Sequence, residues 1–332
     1  METEQNRLRS FAARTAGQTE EAMRRDLAVA LDGSDPLLRE ILEYGLFNGG
    51  KRVRPMLAII SSRLCGRDDG DLYRLAAAFE YLHVATLIHD DVIDHASHRR
   101  GLPALGARYG MAAAILAGDW LHARSMYLIG QLLGSDGLEI FSRTTTGMVD
   151  GEFLQLRASG DSDADEEVYF TVIQRKTASL IGSTCELGAL YGGAGPAERQ
   201  ALGRFGFNMG MAFQIVDDLL DYLGDQQATG KAVGNDFVEG KITLPLIHAL
   251  RHAPAQTRDL LVRLIREERT PDSAFRVREI MIELGSFQAA RKRAEELVSE
   301  ALACLDVFSG SPGKEDLAVL RALAAYILHR DR

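Results

Sequence analysis

Leu, Ala, Ile and Met recur at three- and four-residue spacings from about residue 19 to the C-terminus, and apolar–polar alternation is nearly absent. A chain patterned this way can bury its apolar stripes only by packing helix on helix. Breaks fall at Gly49-Gly50, at 65–70, at 98–103, at 159–165, at 192–196, at 224–240 and at 309–313. Between them the spacing predicts a bundle of roughly ten to thirteen helices, each about 15 to 25 residues long. Only eight prolines occur in 332 residues, and no internal repeat or linker rich in Pro, Gly or Ser divides the chain. The expectation is an all-α, single-domain helical bundle over residues 1–332. Leu75 to Ile93 and Met111 to Ile129 are apolar on more than one face and read as buried central helices.

The longest apolar run, Leu75 to Ile88, is interrupted by Glu80 and His83 and falls short of the roughly 20 residues a membrane span needs. The N-terminal stretch has no apolar core of the signal-peptide kind. A cytoplasmic protein without a transmembrane segment is therefore expected. Cys65, Cys185 and Cys304 are too far apart for metal-ligand spacing and read as buried free thiols. A net charge of −9 disfavours a nucleic-acid partner. Anionic substrates remain possible if local cations reverse the field.

Charges inside apolar helices must be paired or must hold a ligand. The first such cluster is His89-Asp90-Asp91-Val92-Ile93-Asp94. Asp90 and Asp94 share a helix face, His83 lies close to it, and Asp91 stands about 100° away. Carboxylates repelling one another at a helix C-terminus need a counter-charge. The second cluster, Gln214-Ile215-Val216-Asp217-Asp218-Leu219-Leu220-Asp221, repeats the D-D-x-x-D spacing. Such hard oxygen donors suit Mg²⁺, which keeps waters and takes its other ligands from substrate phosphates. A solvated helix end could explain one cluster; two within apolar helices argue for metal. Asp161-Ser-Asp-Ala-Asp165 opens like a calcium loop but has Glu166 and Val172 at the diagnostic positions. It reads as a solvated loop with a helix N-cap.

The basic groups are distributed to match. Gly45 and Gly49-Gly50-Lys51-Arg52-Val53-Arg54-Pro55 nearly fit a nucleotide-binding loop, but Arg52 stands where Ser or Thr is required and no strand precedes it. Three cations after a glycine pair instead suit an anion site at the start of a helix. Arg99-Arg100-Gly101 follows the first cluster; Lys176-Thr177, Lys231 and Lys241 flank the second. With two magnesium sites, these cations supply what two diphosphates need.

These motifs resemble the trans-prenyl diphosphate synthase family, over nearly the whole chain from Gly49 onward. They run in order: G-G-K-R-V-R-P at 49–55, H-D-D-V-I-D at 89–94, R-R-G at 99–101, G-E-F-L-Q at 151–155, K-T at 176, F-Q-I-V-D-D-L-L-D at 213–221, and G-K-A-V-G-N-D with G-K-I-T-L-P within 230–245. The resemblance implies an isoprenoid synthase bundle around a deep central cavity, core motifs within 49–245, and a homodimer. It implies Mg²⁺, three ions, bound directly by Asp90, Asp94 and Asp217. Asp91, Asp218 and Asp221 would complete or orient their shells. Arg99, Lys176, Thr177, Gln214 and Lys231 would hold an allylic diphosphate, with Lys241 on the same side. Lys51, Arg54, His83 and Arg100 would hold isopentenyl diphosphate. The six aspartates and Lys176 form the expected catalytic set. His95, after the first motif, stands where an acidic or polar residue is expected.

In that family product length is limited about one helical turn before the first Asp motif. Ala85 and Thr86 are small there, which implies a long product, hexaprenyl to decaprenyl, destined for a quinone side chain. Closure of the tunnel by Met126 or Met148 is the alternative, giving a farnesyl- or geranylgeranyl-length product. A class I terpene cyclase would not need an isopentenyl site. A non-catalytic regulatory subunit should have lost some of the aspartates.

Overall fold

The computed structural model describes residues 2–163, 165–224, 234–310 and 313–330. They are almost wholly helical, as the periodicity predicts. In chain order the first elements are α1 (Glu2–Ala30), α2 (Pro36–Leu46), α3 (Val53–Leu64), α4 (Leu72–Ile93) and the two-residue strands β1 (His98–Arg99) and β2 (Leu102–Pro103). They are followed by α5 (Leu105–Tyr109), α6 (Met111–Ala158), α7 (Glu166–Ile173), a π-helical turn (Gln174–Ala178), α8 (Ser179–Tyr191) and α9 (Pro196–Leu223). Shorter helices occupy Asn235–Val238, Leu244–His252, Ala255–Glu267, Pro271–Glu283, Ser286–Cys304 and Lys314–Leu328.

The chain divides into two compact units, Met1–Ser142 with Thr184–Gln200 and Gly310–Val319, and Arg143–Ser183 with Ala201–Ser309 and Leu320–Arg332. In the first unit α4 packs against α3 and α1. Residues on nearly every side of α4 are buried, from Leu72, Leu75 and Phe79 to Tyr81, Ala85 and Ile88, which makes it the central helix predicted. In the second unit Leu244–His252 packs against Ser286–Cys304, Ala255–Glu267 and Pro271–Glu283.

Local chemistry sets the ends of these helices. Asp35 caps α2, its Oδ1 accepting from Leu37 N at 2.8 Å, with Pro36 in the first turn. Asp165 caps α7 by accepting from Val168 N at 3.0 Å, the N-cap expected of that acidic loop. The C-terminus of α4 closes with His95 in the left-handed region (φ 52°), Ala96 N donating to Asp91 O at 2.9 Å and His95 N to Val92 O at 3.4 Å. That is the double bond of a Schellman cap, and it accounts for the unexpected His95.

Three expectations need correction. The segment Met111 to Ile129 is amphipathic, not central: Ala114, Ala117, Leu121 and Leu128 are buried, but Leu116 is 66% and Tyr127 49% exposed. It continues into one 48-residue element, longer than the 15 to 25 residues expected, whose only interior non-helical residue is Gly134 (φ 65°), a kink at the Gly134-Ser135-Asp136-Gly137 cluster, which is not among the predicted breaks. All three cysteines are free, but only Cys185 is buried; Cys65 and Cys304 are half-buried. Burial pushes the Cys65 and Cys185 thiols up to about 12.

Candidate active site

In the first unit, the basic cluster is built from the α3 N-terminus, the middle of α4 and the β1–β2 hairpin. Gly49 and Gly50 take φ of 81° and 133°, and Arg52 enters α3 from φ 48°. The hairpin pairs His98 with Pro103 and Arg99 with Leu102, leaving Arg100 (φ 52°) and Gly101 (φ 78°) as a two-residue turn with both φ positive. The turn directs the Arg100 guanidinium onto Gly49 O. Gly50 holds a backbone conformation (φ 133°) that favours glycine, and a Cβ there would press on the Arg100 guanidinium, 2.9 Å from Nη1.

Beneath the glycines, the Arg52 side chain is buried and serves the scaffold. It donates to Glu80 Oε1 at 2.5 Å, to Glu20 Oε1 at 3.0 Å and to Leu46 O at 2.5 Å. Arg54 is half-buried, with its Nε buried; desolvation lowers its pKa and Glu80 opposes that shift. His83 is pushed well below the usual imidazole range by burial and by Arg54, Arg100, Arg99 and Arg52, and is neutral near pH 7. Arg54 Nε and His83 Nδ1 are buried without a hydrogen-bond partner among the described residues. Lys51 is exposed in sequence beside Arg52. Arg52, Arg54 and Arg100 all feel the one buried carboxylate of Glu80, and the unpartnered nitrogens fit an anion.

The first Asp cluster ends α4 in the same unit. Asp91 is 8% exposed and holds Arg99, whose Nε lies 2.7 Å from both carboxylate oxygens. Asp90 is half-buried and Asp94 exposed. Ala85 is buried, and half-buried Thr86 turns its hydroxyl to His83 O at 2.8 Å. The wall positions thus lie between His83 and the Asp cluster on one helix.

The second cluster lies in the second unit on α9. Asp218 is buried and accepts from Tyr169 Oη at 2.6 Å and from Gln214 Nε2 at 2.9 Å. Gln214 Oε1 in turn accepts from Thr177 Oγ1 at 3.0 Å. Burial and the Asp236 carboxylate hold Asp218 well above the usual carboxylate range. Asp236 is raised by burial too, although Lys241, 3.2 Å away, opposes the shift. Asp236 N donates to Asp221 Oδ2 at 3.1 Å. Lys241 also reaches Glu239 at 2.7 Å, and these two carboxylates outweigh burial to raise its pKa. Asp217 is 49% exposed and meets Arg330 at 3.1 Å. Lys176 pairs with Glu152 at 2.5 Å. Lys231 lies outside the described residues.

No three His, Cys, Asp or Glu side chains among the described residues converge on a metal-sized point. The donor set nevertheless fits Mg²⁺. It offers carboxylate oxygens in short supply per ion, which suits a cation that completes its shell from water and phosphate. Asp217 and Asp236 both repel the Asp218 carboxylate, an excess of negative charge that a dication would neutralise.

Residues 35–282 match the family model described as Polyprenyl synthetase. The chain belongs to the polyprenyl synthetase family. It is 36% identical over 302 residues to the octaprenyl diphosphate synthase of Escherichia coli K12, covering 91% of this chain and 93% of that protein. It is 35% identical over 295 residues to the short chain isoprenyl diphosphate synthase of Methanothermobacter thermautotrophicus, covering 87% and 89%. A polyprenyl synthase from Caulobacter crescentus CB15, solved in complex with calcium and isoprenyl diphosphate, superposes with a TM-score of 0.89 at 34% identity, covering 98% of each chain. Family and fold together make this an isoprenoid synthase bundle and a prenyltransferase. Among the described residues no helix is long and apolar enough to cross a membrane.

For this polyprenyl synthetase, sequence reasoning places the motif residues but not their partners. Glu80 carries a signal, a charge interrupting the most apolar helix. Glu152 and Asp236 stand within the family's motifs without a role assigned by sequence. Tyr169 has no signal, because only the tertiary packing of α7 brings its hydroxyl to Asp218.

Proposed function

We propose that this chain is a Mg²⁺-dependent synthase that condenses isopentenyl diphosphate with an allylic diphosphate and repeats the step to a long all-trans polyprenyl diphosphate for a quinone side chain. The observation that carries the reading is the basic pocket of Arg54, His83 and Arg100, whose buried Arg54 Nε and His83 Nδ1, unpartnered among the described residues, await an anion. A terpene cyclase has no second diphosphate to place there. Lys51 at the pocket's edge completes the isopentenyl site. Arg99, Lys176, Thr177, Gln214, Lys231 and Lys241 serve the allylic diphosphate.

When bound, Mg²⁺ supplies charge neutralisation for the departing diphosphate. Asp90, Asp94 and Asp217 would hold it, as three ions, and Asp91, Asp218 and Asp221 would orient those ligands. Lys176 and the Thr177–Gln214 pair orient the allylic diphosphate, so that its C–O bond breaks with the electron pair leaving on oxygen. The isopentenyl double bond attacks the resulting cation, forming the new C–C bond. The proton then lost goes to a released diphosphate oxygen. Apolar side chains exclude the water that would quench the cation. The small Ala85 and Thr86 leave room for the growing chain, and the octaprenyl-forming relative supports that length. The short-chain Methanothermobacter relative favours the alternative, a product of three or four units. The family match from residue 35 to 282 supports one synthetase domain; the resemblance to the family is what implies a cytoplasmic homodimer.

The test is incubation with labelled isopentenyl diphosphate and, separately, dimethylallyl, geranyl, farnesyl and geranylgeranyl diphosphates, with Mg²⁺ or with chelator. Products are dephosphorylated and sized by reversed-phase chromatography. A Mg²⁺-dependent ladder ending at six or more units is expected. Termination at three or four units overturns the long-chain reading, and no incorporation with any primer overturns the activity.

A further inference from the structure

Lys176 does not sit on ordinary helix. It belongs to the five-residue π turn Gln174–Ala178, closed by Ser179 N donating to Gln174 O. A π turn inserts one residue into the helical ladder and redirects the side chains around it, and such turns gather at functional sites. This one lies hard against α6: a Cβ on Gly151 would stand 2.8 Å from Arg175 Cβ and 3.0 Å from Lys176 N. Only glycine permits that approach, and it brings the next residue, Glu152, to the lysine. Glu152 Oε2 lies 2.5 Å from Lys176 Nζ, with the two side chains 16% and 26% exposed. One turn along α6, Gln155 Oε1 accepts from the same ammonium at 3.4 Å. The lysine is therefore fixed from one side by two acceptors of α6, and its remaining donor is left for a ligand.

We propose that Glu152 is the positioning residue for Lys176, fixing the direction in which the ammonium meets the allylic diphosphate. This rests on the reading of Lys176 as an allylic diphosphate ligand. A mobile lysine can bind a diphosphate in many poses, but only a fixed one favours the pose in which the C–O bond breaks. The carboxylate also repels the diphosphate, and does so more strongly as charge builds on the leaving group, so what it contributes is direction, at a cost in affinity. Removing it should therefore lower turnover while leaving the apparent affinity for the allylic diphosphate equal or tighter. A merely structural glutamate would not produce that split.

Glu152→Gln tests the inference, since it keeps shape and an acceptor oxygen but removes the charge. Its kcat with an allylic primer is expected to fall about ten- to a hundredfold, with unchanged or lower KM for that primer and unchanged KM for isopentenyl diphosphate. In a Lys176→Met background the same substitution should change kcat by less than about twofold, because the group it positions is gone. Acylation of Lys176 by an amine-directed reagent, read by peptide mass spectrometry in the full-length protein, should be severalfold faster in Glu152→Gln. Equal kcat losses in both backgrounds, or an unchanged labelling rate, overturn the proposal. If Lys176→Met itself leaves the allylic kcat and KM intact, the reading of Lys176 fails, and the labelling rate separately decides whether the clamp exists.

Discussion

Glu80→Ala tests whether a buried carboxylate holds the cationic pocket together. The Arg52 and Glu80 side chains are only 1% and 2% exposed, and their ion pair spans 2.5 Å. Removing one member of such a pair leaves an uncompensated buried charge, at a cost of about 3–5 kcal/mol. Two features move this case within that range. Arg52 keeps Glu20 at 3.0 Å, a partner that is itself 37% exposed, which softens the loss. Arg54, half-buried with its Nε buried, loses the carboxylate that opposes its desolvation, which deepens it. An expected loss of about 3 kcal/mol lowers the urea midpoint by about 1 M at a slope of about 3 kcal/mol/M. Urea unfolding followed by far-UV circular dichroism measures it. The double variant Arg52→Met/Glu80→Leu should recover most of the loss, because apolar side chains of similar volume replace a buried pair at little cost. A loss under about 1 kcal/mol, or a double variant less stable than Glu80→Ala alone, would refute the reasoning.

Two further outcomes are expected. Burial and the four neighbouring arginines depress the folded-state pKa of His83, so the unfolded chain takes up its proton first as pH falls below about 6.5. Stability should be flat above that pH and decline below it, by up to about 1.4 kcal/mol per pH unit from this group. His83→Gln should reduce that slope between pH 5 and pH 7, read from urea midpoints; an unchanged slope counts against the burial argument. Ala85→Phe should truncate the product, since a ring at a buried position one turn before Asp90 shortens the space for the chain. An unaltered length distribution by reversed-phase sizing removes Ala85 from the wall.

Whether a feature is legible in the amino-acid sequence depends on whether its cause is local along the chain. The helices announce themselves through spacing, and the Asp clusters through charge placed where apolar packing should rule. His95 looks anomalous when its side chain is read for chemistry, because its position is fixed instead by a left-handed helix cap. Gly134 opens a local signal, the cluster Gly134-Ser135-Asp136-Gly137, and its φ of 65° kinks α6 there without ending the helix. The partners are hidden for a different reason. Tyr169 lies 49 residues from Asp218 and Glu152 lies 24 from Lys176, and nothing local marks either member as paired.

Buried charge in an apolar helix is a good signal only when it is read together with what remains unsatisfied. Asp26, on the polar helix α1, is also buried, but Arg124 donates to its Oδ1 at 2.6 Å and Tyr81 to its Oδ2 at 3.1 Å, so both carboxylate oxygens are partnered. Around Glu80 the count does not close. Arg52 absorbs one carboxylate oxygen, while Arg54 Nε and His83 Nδ1 stay unpartnered among the described residues. Burial of a carboxylate does not by itself tell the two apart, and only the accounting of donors and acceptors separates a structural ion pair from a receptor for an anion. That accounting needs tertiary contacts, so the sequence can mark where a diphosphate site should lie but cannot show which of its cations are free to bind one.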